Sequence, residues 1–366
     1  MCRHHGSGRP AVERANRRPS LALPTVGTLL SVIMLAAPVH GVLAQSPRPA
    51  DGTVIEASAC PPRPTVTYEQ YVAATTAAIR RQVEAARKHN PNVQMPTDST
   101  RLVMSRAEFD QRAAYAGIDC QRIRYMSDGL QVAGYIWRPR ESAGRKHPLV
   151  IFNRGGNRER SQLTPWMADG FYEFVANGFV VIASQYRGVD GGEGTEEYGG
   201  ADVRDVLNLL PVAKSLGIVD MRNVFVFGNS RGGMMTYLAL KHGLPVNAAA
   251  VMSGVTDLLG NAADHPELVT SIYEPLIPNF SRRRAEVMEE RSAVRWANAI
   301  NVPLLILHGT ADAQISATRA LEFANQLQAL GKTYELVMYA DDGHGLPMNR
   351  RDADRRVIDW FRKHLR

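Results

Sequence analysis

Hydrophobic positions change period along this chain. Over 67–89, Tyr68, Val72, Ile79 and Val83 recur on one helical face, Arg80, Arg81, Glu84 and Arg87 lie elsewhere, and Asn90-Pro91 ends the run. This predicts an amphipathic helix laid on a larger body, followed by a second helix over 106–116. Around Ser127-Asp128-Gly129 the pattern shortens, with Ile123 and Tyr125 before the Asp-Gly signal and Leu130, Val132, Tyr135 and Ile136 after it, as in a β-hairpin. From Pro148 onward, apolar runs at 149–152, 179–184, 224–227, 248–252, 303–307 and 334–338 alternate with helical patterns, one of them through Val203, Val206, Leu207 and Leu210. Runs without a polar face belong to strands covered on both sides. The alternation predicts the α/β class: a mostly parallel, doubly wound sheet, here with a short helical N-terminal extension.

Composition adds little until the first residues are set apart. The chain has 366 residues, 45% hydrophobic and 22% charged, an ordinary globular balance. Five arginines against one glutamate fall in residues 1–44, followed by an apolar stretch over 25–42 and a small-residue site, Val42-Leu43-Ala44, before Gln45. This pattern predicts a cleavable signal and an exported protein, periplasmic or secreted, with no stable membrane association after cleavage. Arg17-Arg18-Pro19-Ser20-Leu21 faintly resembles a twin-arginine signal, so the export route stays open. Setting aside the four-charge excess of the leader leaves +3 of the formal +7, dispersed along the chain, and nucleic acid is not expected as a partner. No metal-spaced Cys/His cluster, dinucleotide fingerprint or internal repeat occurs, so neither metal nor cofactor is expected. The stretch 45–64, rich in proline, alanine and small polar residues, predicts a linker. Cys60 and Cys120 remain as an even pair, compatible with a disulfide or with two free thiols. The organisation read from these features is a signal peptide over 1–44, a linker and helical extension over 45–120, and a catalytic domain over 121–366.

The chemistry centres on Val224-Phe225-Val226-Phe227-Gly228-Asn229-Ser230-Arg231-Gly232-Gly233. A buried strand ends in G-x-S-x-G, and helix-compatible residues follow. The motif alone is weak, but this placement is that of a nucleophile elbow, where glycines let a tight turn lift one serine hydroxyl above the sheet. A serine needs a base, an acid to orient the base, and donors for the developing oxyanion. The strand over 303–307 runs into His308-Gly309-Thr310-Ala311-Asp312, and the strand over 334–338 into Asp341-Asp342-Gly343-His344-Gly345. The order Ser230, Asp312, His344 is that of α/β-hydrolases, with Ser230 as nucleophile, His344 as general base and acid, and Asp312 as the orienting carboxylate. Asp257, Asp341 and Asp342 are competing acids, and His308 a competing base expected instead to shape the Asp312 loop. The backbone N–H of Arg231 is one expected oxyanion donor. The second is expected from Asn153-Arg154-Gly155-Gly156, with Gly155 preferred over Arg154 or Gly156.

Taken together, Gly228-Asn229-Ser230-Arg231-Gly232-Gly233, Tyr186-Arg187-Gly188, Gly199-Gly200-Ala201-Asp202-Val203, His308-Gly309 with Asp312, and Gly343-His344-Gly345 resemble the catalytic domain of the prolyl oligopeptidase family of serine peptidases over about 123–366. The resemblance implies an α/β-hydrolase fold and a serine hydrolase acting through a Ser230–His344–Asp312 triad on peptide bonds. Two departures stand out. The roughly 75 residues from Gln45 to Cys120 read as helical and are too few for the β-propeller usual in that family. Arg154 occupies the position where the prolyl oligopeptidase proper has a tyrosine. A carboxylesterase is therefore the alternative activity, and a non-catalytic binding module the alternative of another class. Expected partners are small peptide or ester substrates. The oligomeric state is not predicted.

Three further features carry expectations. Arg154 is read either as a ligand for a substrate carboxylate or as pointing to solvent. The acidic loop Asp190-Gly191-Gly192-Glu193-Gly194-Thr195-Glu196-Glu197 is read as a solvated loop, or one that attracts a cationic group. The charged, helical segment 261–299 is read as an insertion able to cap the site.

Overall fold

The computed structural model describes residues 48–366, apart from 63, 89–90, 95–101, 142–143 and 166–167. Those from Arg48 onward form one compact unit, and the signal predicted over 1–44 lies outside the described residues. Nine strands make one sheet: β1 (Val54–Ala59), β2 (Ile118–Ser127), β3 (Leu130–Pro139), β4 (His147–Asn153), β5 (Val180–Ser184), β6 (Val219–Asn229), β7 (Ala248–Met252), β8 (Leu304–Gly309) and β9 (Tyr334–Tyr339). Their order is β1-β2-β3-β5-β4-β6-β7-β8-β9. The pairings among β1, β2, β3 and β5 are antiparallel, and all those from β5 through β4 to β9 are parallel. This is the α/β-hydrolase arrangement, and the predicted strands are β4 to β9. The Asp128-Gly129 turn between β2 and β3 has positive φ at both residues, 51° and 75°, the type I′ geometry that matches strand twist.

Both faces of the parallel sheet are covered, and alternation along each strand decides which side chain goes where. Leu149 and Ile151 of β4 join Val224 and Val226 of β6 in one apolar cluster, under α4 (Val203–Leu207), α5 (Leu209–Ser215), α6 (Arg231–Lys241), α9 (Phe280–Glu290) and α10 (Ala317–Ala329). Val150, Phe152, Phe225 and Phe227 face the other way, against α3 (Ala168–Ala176) and α11 (Arg350–Lys363). The helix expected through Val203 and Leu210 is broken at Asn208 into α4 and α5. Because β4 to β9 are parallel, the loops after β4, β6, β8 and β9 emerge on one rim.

The N-terminal extension is built from α1 (Tyr68–Arg87), α2 (Arg106–Ala114) and β1. Each helix starts with a reciprocal capping box, Thr67 with Gln70 and Ser105 with Glu108. Ile79, Val83 and Ala86 of α1 pack with Ala311 and Met348, which belong to the loops after β8 and β9. A side chain at Gly343 would meet Gln82. The apolar stripe of α1 thus lies against the loops that carry Asp312 and His344.

The linker expected over 45–64 is corrected by β1, which pairs antiparallel with β2 from Val54 to Ala59. Its side chains beyond Val54 are exposed, so backbone hydrogen bonds, rather than burial, hold it. Cys60 follows at its end and is joined to Cys120 of β2, with Cα atoms 5.4 Å apart. A link closing 60 residues restricts the unfolded chain by about 4 kcal/mol in the chain-entropy account.

Candidate active site

Ser230 stands between β6 and α6 with φ 58° and ψ −125°, a left-handed conformation that few non-glycine residues adopt. The flanking glycines are required by close approach. A Cβ on Gly228 would lie 2.1 Å from the carbonyl oxygen of Gly232, and one on Gly232 would lie 1.9 Å from that of Asn153. The elbow is thereby pressed against the end of β4, which brings the Arg154-Gly155-Gly156 loop beside Ser230.

His344 meets both partners. Its Nε2 is 2.9 Å from Ser230 Oγ, and its Nδ1 is 2.9 Å from Asp312 Oδ2 and 3.1 Å from Oδ1. A carboxylate only accepts, so Nδ1 carries the proton and Nε2 is left to accept from the serine hydroxyl. Asp312 Oδ1 also accepts from the N–H groups of Gln314 and Ile315 at 2.9 and 3.0 Å. Burial pushes the Asp312 carboxyl up, but the neighbouring His344, His308 and the Ile315 N–H outweigh it and hold it below the usual carboxylate range. It stays ionised at neutral pH.

The competing residues take scaffold roles. His308 is fully buried and its Nε2 donates to the Ile315 carbonyl at 2.9 Å, with Asp312 Oδ2 3.4 Å away. Burial lowers its pKa, so it is a neutral brace for the Asp312 loop. Asp342 accepts from the N–H groups of Gly343, Met348 and Asn349 and from the Asn349 amide, folding the His344 loop around itself. Asp341 lies in the turn before it, its N–H held by Thr310 Oγ1, and Asp257 precedes α7 (Leu258–Asp264) without a side-chain cap hydrogen bond to it. Sequence reasoning missed Ser253, whose hydroxyl accepts from the Gly345 N–H at 3.0 Å and ties the His344 loop to the end of β7. A serine after a strand carries no local signal for that role.

Arg231 is the first residue of α6, so its N–H has no intrahelical partner. On the facing loop Gly155 lies nearest Ser230, since a Cβ there would sit 3.1 Å from Ser230 Cβ and 3.7 Å from Oγ. Gly156, with φ +67°, turns the chain instead. Arg154 neither reaches solvent nor is free for a substrate. It is buried, and its guanidinium donates to the carbonyls of Gly155, Arg158, Arg160 and Gln185. A short loop cannot satisfy its own carbonyls, and a buried arginine does so for it.

The acidic loop also departs from expectation. Glu196 is buried, accepting from the Arg158 N–H at 2.7 Å and from Arg231 Nη1 at 2.8 Å. Asp190 binds Arg122, Glu193 accepts from the Gln131 N–H, and Glu197 from that of Ala201. These carboxylates are spent on the protein's own donors. In the segment 261–299, Tyr273, Leu276, Phe280, Val287 and Met288 pack into the core cluster, and Arg291 donates to the carbonyls of Glu197 and Tyr198. The segment braces the acidic loop.

The description "Prolyl oligopeptidase family" belongs to the sequence profile that matches residues 166–366. The chain is 28% identical over 243 residues to the uncharacterized peptidase YtmA of Bacillus subtilis, covering 66% of this chain and 92% of that protein. It is 25% identical over 242 residues to dipeptidyl aminopeptidase BIII of Pseudoxanthomonas mexicana, covering 60% of this chain and 34% of that one. The uncomplexed acylaminoacyl peptidase of Pyrococcus horikoshii superposes with a TM-score of 0.61 at 20% identity, over 71% of this chain and 44% of that chain. The chain thus spans less than half the length of the latter two. With the profile matching more than half of its residues on the same fold, the chain belongs to the prolyl oligopeptidase family of serine peptidases.

Proposed function

We propose that this protein cleaves peptide bonds of short substrates through an acyl-enzyme formed on Ser230. The observation that carries the reading is the single imidazole of His344, hydrogen-bonded at 2.9 Å to Ser230 Oγ on one side and at 2.9 Å to Asp312 on the other. Ser230 Oγ attacks the scissile carbonyl as His344 Nε2 takes its proton, and Asp312 stabilises the imidazolium. The tetrahedral oxyanion is met by the N–H groups of Arg231 and Gly155. His344 then protonates the leaving amine, and a water activated by the same imidazole hydrolyses the ester. The peptidase names of the relatives support an amide substrate. Peptidyl-arylamides and short acyl esters, assayed side by side, separate the two chemistries: arylamide turnover is expected, and turnover of esters alone would leave a carboxylesterase.

Export is the second part of the proposal. The Cys60–Cys120 bridge supports it, because such links persist in oxidising compartments. Protein recovered from a secreting host is expected to begin at Gln45 and to contain no titratable thiol, since Cys2 leaves with the signal. An intact leader on the recovered protein speaks against export.

A further inference from the structure

The Tyr186-Arg187-Gly188 motif takes no part in the mechanism above, yet Tyr186 is one of the most constrained residues near the site. It is fully buried, and its φ of 64° is unfavourable for a bulky aromatic residue. Such strain persists only where surrounding structure imposes it, and it gathers at functional positions. Here the surroundings are explicit. The Tyr186 N–H donates to Ser184 Oγ at 2.9 Å. Its ring faces two buried guanidinium groups, Arg154 at 5.1 Å and Arg231 at 4.9 Å from the centroid. Its hydroxyl donates to the carbonyl oxygen of Arg154 at 3.1 Å.

That last bond acts on the peptide unit between Arg154 and Gly155. In a planar trans peptide the C=O and the following N–H point to opposite sides. Pinning the Arg154 oxygen towards Tyr186 therefore turns the Gly155 N–H the other way, and Gly155 is the loop residue beside Ser230 Oγ. Glycine-rich loops do not hold a peptide plane by themselves, because both orientations are accessible to them. The neighbouring ionic cluster fixes the distance to the second donor. Arg231 Nη1 donates to the Gly156 carbonyl at 3.1 Å, and Glu196 bridges that same guanidinium to the Arg158 N–H. Nη2 of Arg231 is held by Asp202. The residue offering one oxyanion donor through its backbone thus grips, through its side chain, the loop offering the other.

We propose that Tyr186 is a positioning residue, which sets the Gly155 N–H towards the oxyanion, with Glu196 locking the oxyanion loop to Arg231. The proposal rests on the serine-hydrolase reading of the site. Burial raises the Tyr186 pKa, so its hydroxyl remains a donor at any pH where the enzyme works.

The test is Tyr186→Phe in the full protein, which removes one oxygen and keeps the ring between the guanidinium groups. Activity is counted per serine labelled by a fluorophosphonate. Because loss of an oxyanion donor costs about 10²–10³ in rate and loss of its alignment less, kcat is expected to fall about tenfold to a hundredfold with KM within about twofold of wild type. Affinity for a peptidyl trifluoromethyl ketone, whose hemiketal oxygen takes the oxyanion position, is expected to fall in the same proportion. Glu196→Gln keeps an acceptor for Arg158 but loses the charge facing Arg231, and should show the same split. It stands in if the phenylalanine variant does not fold. A purely structural role would lower Tm while leaving kcat per labelled serine and ketone affinity unchanged, and that result overturns the proposal. Activity surviving in Ser230→Ala would instead sink the underlying reading of the site, whereas an inert Ser230→Ala beside an unaffected Tyr186→Phe removes only the positioning role.

Discussion

His344→Ala is expected to lower kcat by about 10⁵–10⁶, the scale seen when a triad base or nucleophile is removed, because the remaining groups act as one unit. Little of this loss should come from unfolding. The imidazole bonds only to Ser230 and Asp312 among the described residues, and it stands at the rim rather than in either apolar cluster. The His344 loop is folded around Asp342 and held by Ser253, so truncating the ring leaves its backbone in place. Ser230→Ala should fall to the same floor and also lose fluorophosphonate labelling. The measurement is turnover of the best arylamide, with far-UV circular dichroism and Tm as controls. A folded His344→Ala enzyme retaining more than about a hundredth of wild-type activity would mean that another base serves Ser230.

Asp205→Ala is expected to be the most damaging change away from the reacting atoms, costing about 3–5 kcal/mol, the penalty for leaving a buried charge without its partner. Asp205 is fully buried in α4 and accepts from the Arg187 N–H at 2.8 Å, Arg187 Nη2 at 2.8 Å and Ser127 Oγ at 2.7 Å. Burial pushes its carboxyl up to about 6, against the pull of Arg187 and Ser127. A carboxyl with a raised folded value favours the fold when protonated, and that contribution is lost as pH rises from the ordinary carboxylate range through about 6. The intact pair therefore adds little stability at neutral pH, yet cutting it leaves the buried Arg187 guanidinium with the partly exposed Asp128, 2.9 Å from Nη2, as its ionic partner. Urea denaturation should show the loss in the single variant, and a double variant, Asp205→Leu with Arg187→Met, should recover much of it. Equal stability of wild type and Asp205→Ala would show that water and the existing Asp128 contact satisfy Arg187 at no cost. Arg187 follows Tyr186 directly, so the same variant is expected to disturb the oxyanion loop.

How far each part was legible depended on the range of the force that fixes it. Strands β4 to β9 were readable because being covered on both faces demands apolar residues at every position, a local pattern. Their loops meet on one rim because the strands are parallel, so the chemistry-bearing residues after β6, β8 and β9 could be singled out in order. β1 was not readable: an edge strand with exposed side chains is held by ladder hydrogen bonds to β2, which leave no periodicity in its own sequence.

Charge was the other blind spot. A charged side chain far more often faces water than the interior, so nothing in the sequence marks Arg154, Glu196, Asp202, Arg187 or Asp205 as buried. Each is buried, Arg154 among the carbonyls of its own loop and Gln185, the others against an ionic partner on another segment whose arrival offsets both desolvation penalties. Cys60 and Cys120 could likewise be counted but not joined until β1 was seen beside β2.

By itself, then, the sequence determined the class of the sheet, the strained turn that presents Ser230, and the order of residues suited to hydrolytic chemistry, all matters of local period and spacing. Only the tertiary structure decided that Asp312 rather than Asp257, Asp341 or Asp342 faces His344, that Arg154 serves its own loop, and that Tyr186 grips the peptide beside Ser230. Those choices depend on contacts between segments far apart in the chain, and such contacts are set by packing, which no local pattern encodes.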